Sequence, residues 1–393
     1  MTYSLRDRLR EHLPSKPKMI EKPHKSDCYK TIHRTNRANY ALPDTLPAHL
    51  LSFMTGVEME AKTLEDVLFL DTETTGLSRG VGTVAFLTGM GYFTKDSFVV
   101  EQVLMQDYDE ELFALQHILE RIQKATLLVT FNGHTFDMPL LENRFTLHRM
   151  REEYTLPAHL DLLRVARSTY KLRVARCSLT SLEENLLGIV RQDDMPGAQV
   201  PKQYFDFIKS KDFSFLSPIL SHNVQDILSL AHLLRLFCAA YESPLALPHA
   251  QDVYSIGKVM QRHHHYGIAK ACYKACDQSV VAKMARLTLA EVYKKETNYI
   301  EASKVYETML QSGQGNTAVY IALAKLYEHH LHDVNRAYQL TAQALARLSI
   351  EDEKIIFQLQ HRLMRLQKKI HSLPNPPPKD DLPPQTLTIK TDK

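Results

Sequence analysis

The chain has 393 residues, of which 44% are hydrophobic and 24% are charged, a composition typical of globular proteins of two or three domains. Its longest uncharged apolar stretches, such as Val84–Tyr92, fall well short of the roughly 18 residues that cross a bilayer, and its first residues are charged, so we expect neither a membrane nor a secreted protein. Five cysteines without a Cys-x-x-Cys pair argue against a disulfide framework and favour a reducing cytoplasm, whereas a net charge of +3 excludes no partner.

Both ends of the chain are predicted to lie outside the folded domains. Residues 1–60 form a predicted basic arm, partly disordered, because residues 1–40 carry ten Lys or Arg against four acids and show little hydrophobic periodicity. A solvated tail and an arm that contacts phosphates both fit this composition. At the other end, six of the eighteen prolines fall between Pro374 and Pro384, so residues 371–393 are predicted to be a Pro-rich disordered tail.

The pattern from residue 61 to residue 243 predicts a mixed α/β domain. Short apolar runs broken by Gly, Ser or Asp predict three consecutive strands, at residues 67–73, 82–93 and 97–106. The uncharged run Thr126–Phe131 predicts a strand that is buried on both faces. Helical spacing predicts helices at Glu111–Gln123, Pro139–Arg149, Leu160–Tyr170, Leu179–Leu187 and Ser221–Ala240. The polar segment Arg191–Lys211 is predicted to be an ordered surface insertion.

A repeat of about 34 residues follows in the predicted domain 251–370. Residues Leu289–Tyr293 recur in similar form as Leu323–Tyr327. The second helix of each unit carries a small residue at a matching spacing: Ala269, Ala302 and Ala337. A helix–turn–helix unit of this length is the tetratricopeptide signature. We therefore predict three helical hairpins over Val253–Leu348 and a capping helix that ends near Ile370.

Four acids and one histidine lie in three separate blocks of the α/β domain. Asp71 and Glu73 end an apolar run, and because strand side chains alternate, both point to the same side. Two carboxylates there repel each other and favour a divalent cation, although an ordinary strand end entering solvent also fits. Asp137 follows an Asn-Gly turn, where helix capping alone explains it. His222 and Asp226 are one helical turn apart, where a pair that satisfies itself also fits.

Together the three blocks resemble the exonuclease motifs of the DEDD (DnaQ-like) branch of the ribonuclease-H-like superfamily. The segments that carry the resemblance are Leu70–Leu77, Asn132–Pro139 and His222–Asp226. The chain is also similar to the bacterial YprB-type family, in which such a nuclease domain precedes tetratricopeptide repeats. This similarity covers about residues 60–350 and includes Asp193–Gly197. It implies a ribonuclease-H-like α/β domain, with a mixed sheet flanked by helices, followed by an all-α tetratricopeptide-like domain.

The resemblance implies a site for two divalent ions, Mg²⁺ or Mn²⁺. Its acids fall on Asp71, Glu73, Asp137 and Asp226. Two-metal sites hold their ions roughly 3.5–4 Å apart around the scissile phosphate. Asp71 would bridge both ions, Glu73 and Asp226 would complete the site that bears the nucleophile, and Asp137 would act through water.

The same resemblance makes His222 the general base or the residue that positions the attacking water. One branch of the family has a His five residues before the last Asp, and another has a Tyr four residues before it. This sequence departs from both, because His222 stands at the Tyr spacing and Ser221 at the His position. The resemblance further implies a set of nucleotide-binding residues: Thr75, Gly76, Leu77, Asn132 and Phe136. For these five, turn geometry and core packing fit equally well.

These observations predict a metal-dependent 3′–5′ exonuclease that acts on single-stranded or frayed DNA in repair or processing. An RNA exonuclease and a structure-specific endonuclease share the same chemistry, and a catalytically silent nucleic-acid-binding adaptor is the opposing hypothesis. DNA is favoured over RNA as the partner, and no membrane partner is expected. The repeats are predicted to dock a protein partner, with a helicase as one candidate. The expected location is cytoplasmic.

Overall fold

The computed structural model describes residues 28–76, 82–150, 155–192, 195–348 and 352–372. The candidate nucleotide-binding residue Leu77 lies outside these ranges, as do Asp193 and Asp194. The first 27 residues of the predicted arm and residues 373–393 of the predicted tail also lie outside the described residues. The chain divides into two compact units, Met1–Ala282 and Lys283–Lys393.

A six-stranded mixed sheet forms the centre of the first unit. Its strands are β1 Tyr29–Asn36, β4 Val67–Thr74, β5 Ala85–Phe93, β6 Ser97–Leu104, β7 Leu127–Thr130 and β8 Ala158–Asp161. Their order across the sheet is β1-β6-β5-β4-β7-β8. Two short strands, β2 Thr45–Leu46 and β3 Lys62–Thr63, pair with each other. The chain runs antiparallel from β1 through β6 and β5 to β4, and β7 and β8 continue parallel to β4. The three consecutive strands and the strand at Thr126–Phe131 are therefore confirmed.

Helices cover both faces of this sheet. Those of the first unit are α1 Ala48–Thr55, α2 Glu111–Lys124, α3 Asp137–Leu147, α4 Leu162–Tyr170, α5 Leu179–Leu182, α6 Val200–Ser210, α7 Ser217–Glu242, α8 Ala250–Arg262 and α9 Tyr266–Ala275. A π-helical turn, Glu183–Leu187, directly follows α5. Apolar side chains of α2 and α3 form one core with the sheet, among them Leu115, Ile118, Leu141 and Phe145. The long helix α7 packs against the sheet strands β4, β5 and β6.

Two glycines of β5 bring α7 close to the sheet. A Cβ added at Gly89 would lie 2.2 Å from the side-chain oxygen of Asn223, and one added at Gly91 would lie 2.5 Å from a methyl carbon of Ile227. Among the described residues, the stretch Phe213–Glu242 is long and apolar enough to cross a membrane, but 78% of its most apolar window is buried inside the fold. That burial is what a core helix requires.

The predicted basic arm differs from the structure between residues 28 and 60. Residues 29–36 form β1, an edge strand paired with β6. The short strand β2 and the helix α1 follow it before residue 60. Charged residues such as Lys30 and Arg34 conceal this strand in the sequence, because edge strands commonly carry charge on their exposed side. The prediction of an arm therefore applies only to residues that the structure does not describe.

The segment Arg191–Lys211 is not a surface insertion, and this prediction was wrong. It contains α6, whose residues Val200, Tyr204 and Phe207 are buried. The ring of Tyr204 stacks on Phe86 of β5 with centroids 3.9 Å apart. These buried positions follow a helical spacing, but the polar residues between them hide it.

The helices predicted at Leu160–Tyr170 and Leu179–Leu187 differ from the structure at one end each. The first begins two residues later, at Leu162, because Leu160 and Asp161 belong to β8. The carboxylate of Asp161 then caps α4 by accepting from the Leu163 N–H at 3.0 Å. The second ends at Leu182 and continues as the π-helical turn.

Among the residues that the structure describes, helices are the only regular secondary structure of the second unit. Its helices are α10 Ala282–Lys295, whose first residue ends the first unit, α11 Tyr299–Gln311, α12 Thr317–His329, α13 Val334–Leu345 and α14 Glu353–His371. The repeat alanines Ala302 and Ala337 are fully buried. Glu328 of α12 is also buried and accepts hydrogen bonds from Arg365 and Lys369 of α14, each at 2.8 Å. The identity of these helices as tetratricopeptide repeats stays a prediction.

The division between the units differs from the predicted boundary at residues 243–251. The hairpin of α8 and α9, predicted to be the first repeat, belongs to the same unit as the sheet. Buried Asp252 of α8 pairs there with Arg173, which follows α4, at 2.8 Å. The ring of Phe53 in α1 also packs against His263 and His265 at the turn between α8 and α9. These contacts attach the hairpin to the α/β domain.

Candidate metal centre

Asp71 and Glu73 lie near the end of β4 and both face α7. Asp71 pairs with Gly89 of β5, and the side-chain amide of Asn223 reaches across this glycine to donate to Asp71 Oδ2 at 2.9 Å. Glu73 Oε1 lies 3.9 Å from His222 Nε2 on the same helix. The two carboxylates therefore share one side of the strand, as their spacing predicts.

Asp137 enters the site from the other side of β4, as the first residue of α3. Its carboxylate is buried and accepts from the N–H of Thr72 at 3.2 Å and from the hydroxyl of Thr72 at 2.5 Å. Thr72 stands between Asp71 and Glu73 in the strand, so β4 holds two acids on one face and fixes a third through the intervening residue.

Asp161, a residue that no motif in the sequence marks, holds the turn before Asp137. Asp161 Oδ1 accepts from the Asn132 N–H at 2.8 Å, and Asn132 has a positive φ of 68°. At Gly133 an added Cβ would lie 2.3 Å from the Thr130 hydroxyl, so the turn requires glycine there. These contacts fix where α3 begins and hence where Asp137 lies.

His222 and Asp226 lie one turn apart on α7, and their side chains meet Glu73. His222 Nε2 is 3.5 Å from Asp226 Oδ2. One ligand atom from each of Glu73, His222 and Asp226 lies within 4.8 Å of the other two. The strand end and the helix thus bring together three side chains that can hold a metal ion.

Arg191, whose side chain is 8% exposed, lies beside this cluster and was also missed in the sequence. Arg191 donates to both oxygens of Glu183, from Nε at 2.6 Å and from Nη2 at 2.7 Å, and also to Asp226 Oδ1. Its Nη1 lies 3.2 Å from His222 Nδ1. Glu183 is fully buried in the π-helical turn and also accepts from the hydroxyl of Ser229. No local pattern in the sequence singles out Arg191 or Glu183.

A chain of hydrogen bonds supports Asp71 from the far edge of the sheet. Thr31 of β1 donates to Gln102 of β6 at 2.8 Å, and Gln102 donates to Asn223 Oδ1 at 2.9 Å. Because Asn223 Oδ1 is occupied as an acceptor, its amide nitrogen points at Asp71. The strand Gly-x-Gly pattern of β5 is the sequence signal of such a close approach.

Comparison with known proteins agrees with this architecture. The family model described as the RNase_H superfamily matches residues 68–238. Uncharacterized protein YprB of Bacillus subtilis (strain 168) is 34% identical to this chain over 317 residues, which cover 78% of this chain and 76% of the relative. The chain belongs to the YprB family of the ribonuclease H superfamily. The predicted fold class, a ribonuclease-H-like domain with a mixed sheet flanked by helices and a C-terminal all-helical region, is confirmed.

Domains of the ribonuclease H superfamily generally hydrolyse phosphodiester bonds in nucleic acids and usually require divalent metals. In this member of the YprB family, the matched segment runs from β4 into α7 and includes all four candidate acids, His222 and Arg191. At the level of the superfamily, the chain is therefore assigned to nucleic-acid processing.

The acids of this YprB-family site carry more negative charge than their neighbours neutralise. Burial raises the pKa of Asp71 well above its usual range, and repulsion from Asp226, Asp137 and Glu73 adds to this shift. Burial also raises the pKa of Glu73 to about 7, opposed by attraction to His222. The pKa of Asp137 rises to about 6, again through burial, although its bonds with Thr72 oppose the shift.

A divalent ion fits this donor set. Carboxylate oxygens are the ligands that Mg²⁺ and Mn²⁺ prefer, and a bound cation would offset the burial and the mutual repulsion that raise the acid pKa values. Arg191 supplies one positive charge, which Glu183 and Asp226 share. The residues present thus match the metal requirement of the superfamily.

The candidate nucleotide-binding residues border the acids. Thr75 exchanges two bonds with Val84, since its N–H donates to the Val84 carbonyl and its hydroxyl accepts from the Val84 N–H, each at 3.0 Å. Gly76 is half-buried beside it, Asn132 is exposed and Phe136 is half-buried. Thr75 therefore has a role in the turn after β4, while Asn132 is open to a ligand.

Proposed function

We propose that this chain is a metal-dependent 3′–5′ exonuclease that hydrolyses the phosphodiester bonds of single-stranded DNA by a two-metal mechanism. The observation that carries the proposal is the meeting of Asp71, Glu73, Asp137 and Asp226 from one strand and two helices, where the pKa values of the first three acids are raised. Membership of the ribonuclease H superfamily supports phosphodiester hydrolysis as the reaction class.

The four acids would hold the ions, with Asp71 shared between both, Glu73 and Asp226 on the side of the attacking water, and Asp137 acting through water. The bound ions would supply water activation and neutralise charge that develops on the phosphate. Other side chains of the protein keep these ligands oriented before any ion binds, and groups that orient metal ligands in this way raise metal affinity. Asn223 holds Asp71, Thr72 holds Asp137 and Arg191 holds Asp226.

The substrate strand would meet the site at the turns that carry the acids. Thr75, Gly76 and Leu77 follow Glu73, and Asn132 and Phe136 precede Asp137, so we place the terminal nucleotide between these two segments. We favour DNA over RNA as substrate and a role in repair or processing. A protein partner, with a helicase as one candidate, would dock on the C-terminal helices. The proposed location is the cytoplasm.

The test is a degradation assay on DNA and RNA strands labelled at the 5′ end, with Mg²⁺, Mn²⁺ or EDTA. We expect a ladder that shortens from the 3′ end of DNA with metal, and none with Asp71→Asn. Asp107→Asn is a matched control, because that exposed carboxylate pairs with Lys211 away from the acids and should leave the ladder unchanged. Degradation of RNA alone would make the chain an RNA exonuclease, and internal cuts would make it an endonuclease.

A nucleic-acid-binding adaptor is the second candidate, and the ion pair between Arg191 and Asp226 favours it. The guanidinium of Arg191 neutralises Asp226 without a metal ion, and a module that only binds nucleic acid needs no metal ion at this site. An adaptor would bind DNA equally well in Mg²⁺ and EDTA, would hydrolyse no strand, and would keep its affinity in Asp71→Asn.

A further inference from the structure

The guanidinium of Arg191 contacts two side chains of α7, Asp226 and His222. One nitrogen donates to Asp226 Oδ1, and another lies 3.2 Å from His222 Nδ1. The other ring nitrogen, His222 Nε2, lies 3.9 Å from Glu73 Oε1 and 3.5 Å from the other oxygen of Asp226, Oδ2. Arg191 therefore contacts the ring nitrogen of His222 that is not next to Glu73, and the oxygen of Asp226 that is not next to the ring.

The hydrogen-bond donors of Arg191 determine which nitrogen of the His222 ring carries hydrogen. A guanidinium has only donors and cannot be deprotonated in proteins, so His222 Nδ1 can contact Arg191 only as an acceptor. A ring that accepts at Nδ1 carries its proton at Nε2, because the bond made by one ring nitrogen sets the state of the other. A proton on Nδ1, in either the other tautomer or the imidazolium, would point at the guanidinium.

The surroundings of Nε2 agree with this state. Nε2 lies 3.5 Å from Asp226 Oδ2 and 3.9 Å from Glu73 Oε1, and both atoms are acceptors when ionised. A ring nitrogen that carries hydrogen is attracted to these carboxylates, whereas a bare lone pair would be repelled. Both sides of the ring thus select the same tautomer.

Arg191 is itself fixed from the opposite direction. Its two bonds to Glu183 use both carboxylate oxygens, and the side chain of Glu183 is 0% exposed. Ser229 donates to the same carboxylate, and Gln225 donates to the Ser229 hydroxyl at 3.1 Å. A planar guanidinium held in this two-bond fork keeps its remaining donors aimed at α7.

We propose that Arg191 is a positioning residue that holds His222 as the tautomer with hydrogen on Nε2, so that His222 is a hydrogen-bond donor in the site and not its general base. A protonated Nε2 has no lone pair with which to accept a proton or bind a metal ion. The metal ligands are then the carboxylates alone. The catalytic meaning of this assignment rests on the nuclease function proposed above, whereas the tautomer itself does not.

The test reads the tautomer directly by ¹⁵N NMR of the full chain labelled at histidine, in EDTA at about pH 7.5. His222→Gln identifies the His222 signal. The informative variant is Arg191→Met combined with Glu183→Gln, because the second change prevents the fully buried Glu183 from being left ionised without its cation. Arg144→Met combined with Glu111→Gln is the matched control, since it removes another Arg–Glu pair that contacts a histidine, His148, elsewhere in the domain.

We expect hydrogen on Nε2 of His222 in the wild type and in the control. In the Arg191 variant this form should lose population to the other tautomer or to the imidazolium by at least ~10-fold, the factor of a hydrogen bond to a charged group. A wild-type ring that is protonated on Nδ1, or a variant with an unchanged signature, would overturn the proposal. A chain that keeps the Nε2 signature and hydrolyses nothing would overturn the nuclease function and leave this inference standing.

Discussion

Replacing Glu73 with Gln should stabilise the metal-free protein at high pH. The pKa of Glu73 rises from 4.5 to about 7, since burial and repulsion from Asp226 and Asp137 outweigh attraction to His222 and Arg191. Each pKa unit corresponds to about 1.36 kcal/mol, so ionised Glu73 costs the metal-free fold about 3 kcal/mol at pH 8. A neutral Gln removes that cost.

The sign of the pH dependence follows from proton binding. An acid with a raised pKa in the fold holds its proton more tightly than in the unfolded chain, so the metal-free wild type loses stability as pH rises from about 4.5 through about 7. At pH 5 the wild-type Glu73 is protonated in the fold, and Glu73→Gln gains little. Thermal unfolding in EDTA should therefore show a rise in Tm of roughly 6 °C or more at pH 8 and little change at pH 5.

Glu111→Gln is the matched control, because its carboxylate is also buried but already has partners. Hydrogen bonds from Arg144 and His148 outweigh its burial and lower the pKa of Glu111. This variant should lose stability at pH 8, opposite in sign to Glu73→Gln. Equal or lower stability of Glu73→Gln at pH 8 in EDTA would refute the argument that the acids lack a sufficient counter-charge.

Four further predictions concern residues in and around the site and the N-terminal residues. Gly89→Ala should cost roughly 1–3 kcal/mol by urea unfolding, because its Cβ would meet Asn223, whereas Gly82→Ala, with nothing within 4 Å, should change stability little. Asn223→Ala should weaken Mn²⁺ binding by ~10–100-fold in calorimetry, since the amide orients Asp71. His222→Gln, which keeps a donor, should retain at least ~10-fold more activity than His222→Ala, whereas loss of a general base would lower both equally by ~10²-fold or more. Removing residues 1–27 should flatten the salt dependence of DNA binding if the arm contacts phosphates, and an unchanged slope would exclude that role.

The central strands and the acids could be predicted from the sequence because each depends on local order. Strand β4 is a short apolar run that ends in Asp71 and Glu73, and the spacing of His222 and Asp226 places both on one helix face. Such patterns need no knowledge of distant residues. The antiparallel edge strand β1 and the helix α6 were missed because charged and polar residues interrupt their apolar spacing.

The support of the site could not be predicted in the same way. Glu183 lies in the π-helical turn and pairs with Arg191, and both residues reach α7 only through tertiary packing. The residues next to each of them in the sequence form no pattern that indicates this role. Asn223 stands next to His222, but its bond to Asp71 depends on the absence of a side chain at Gly89. These contacts arise from tertiary packing, which one sequence does not reveal.

The most direct test of the metal centre is anomalous diffraction from crystals of the full chain soaked in Mn²⁺. The proposed site predicts two anomalous peaks among the carboxylates of Asp71, Glu73, Asp137 and Asp226, roughly 3.5–4 Å apart, and their loss in Asp71→Asn. Anomalous density confined to other parts of the surface, with the four carboxylates bound only to protein groups, would contradict it.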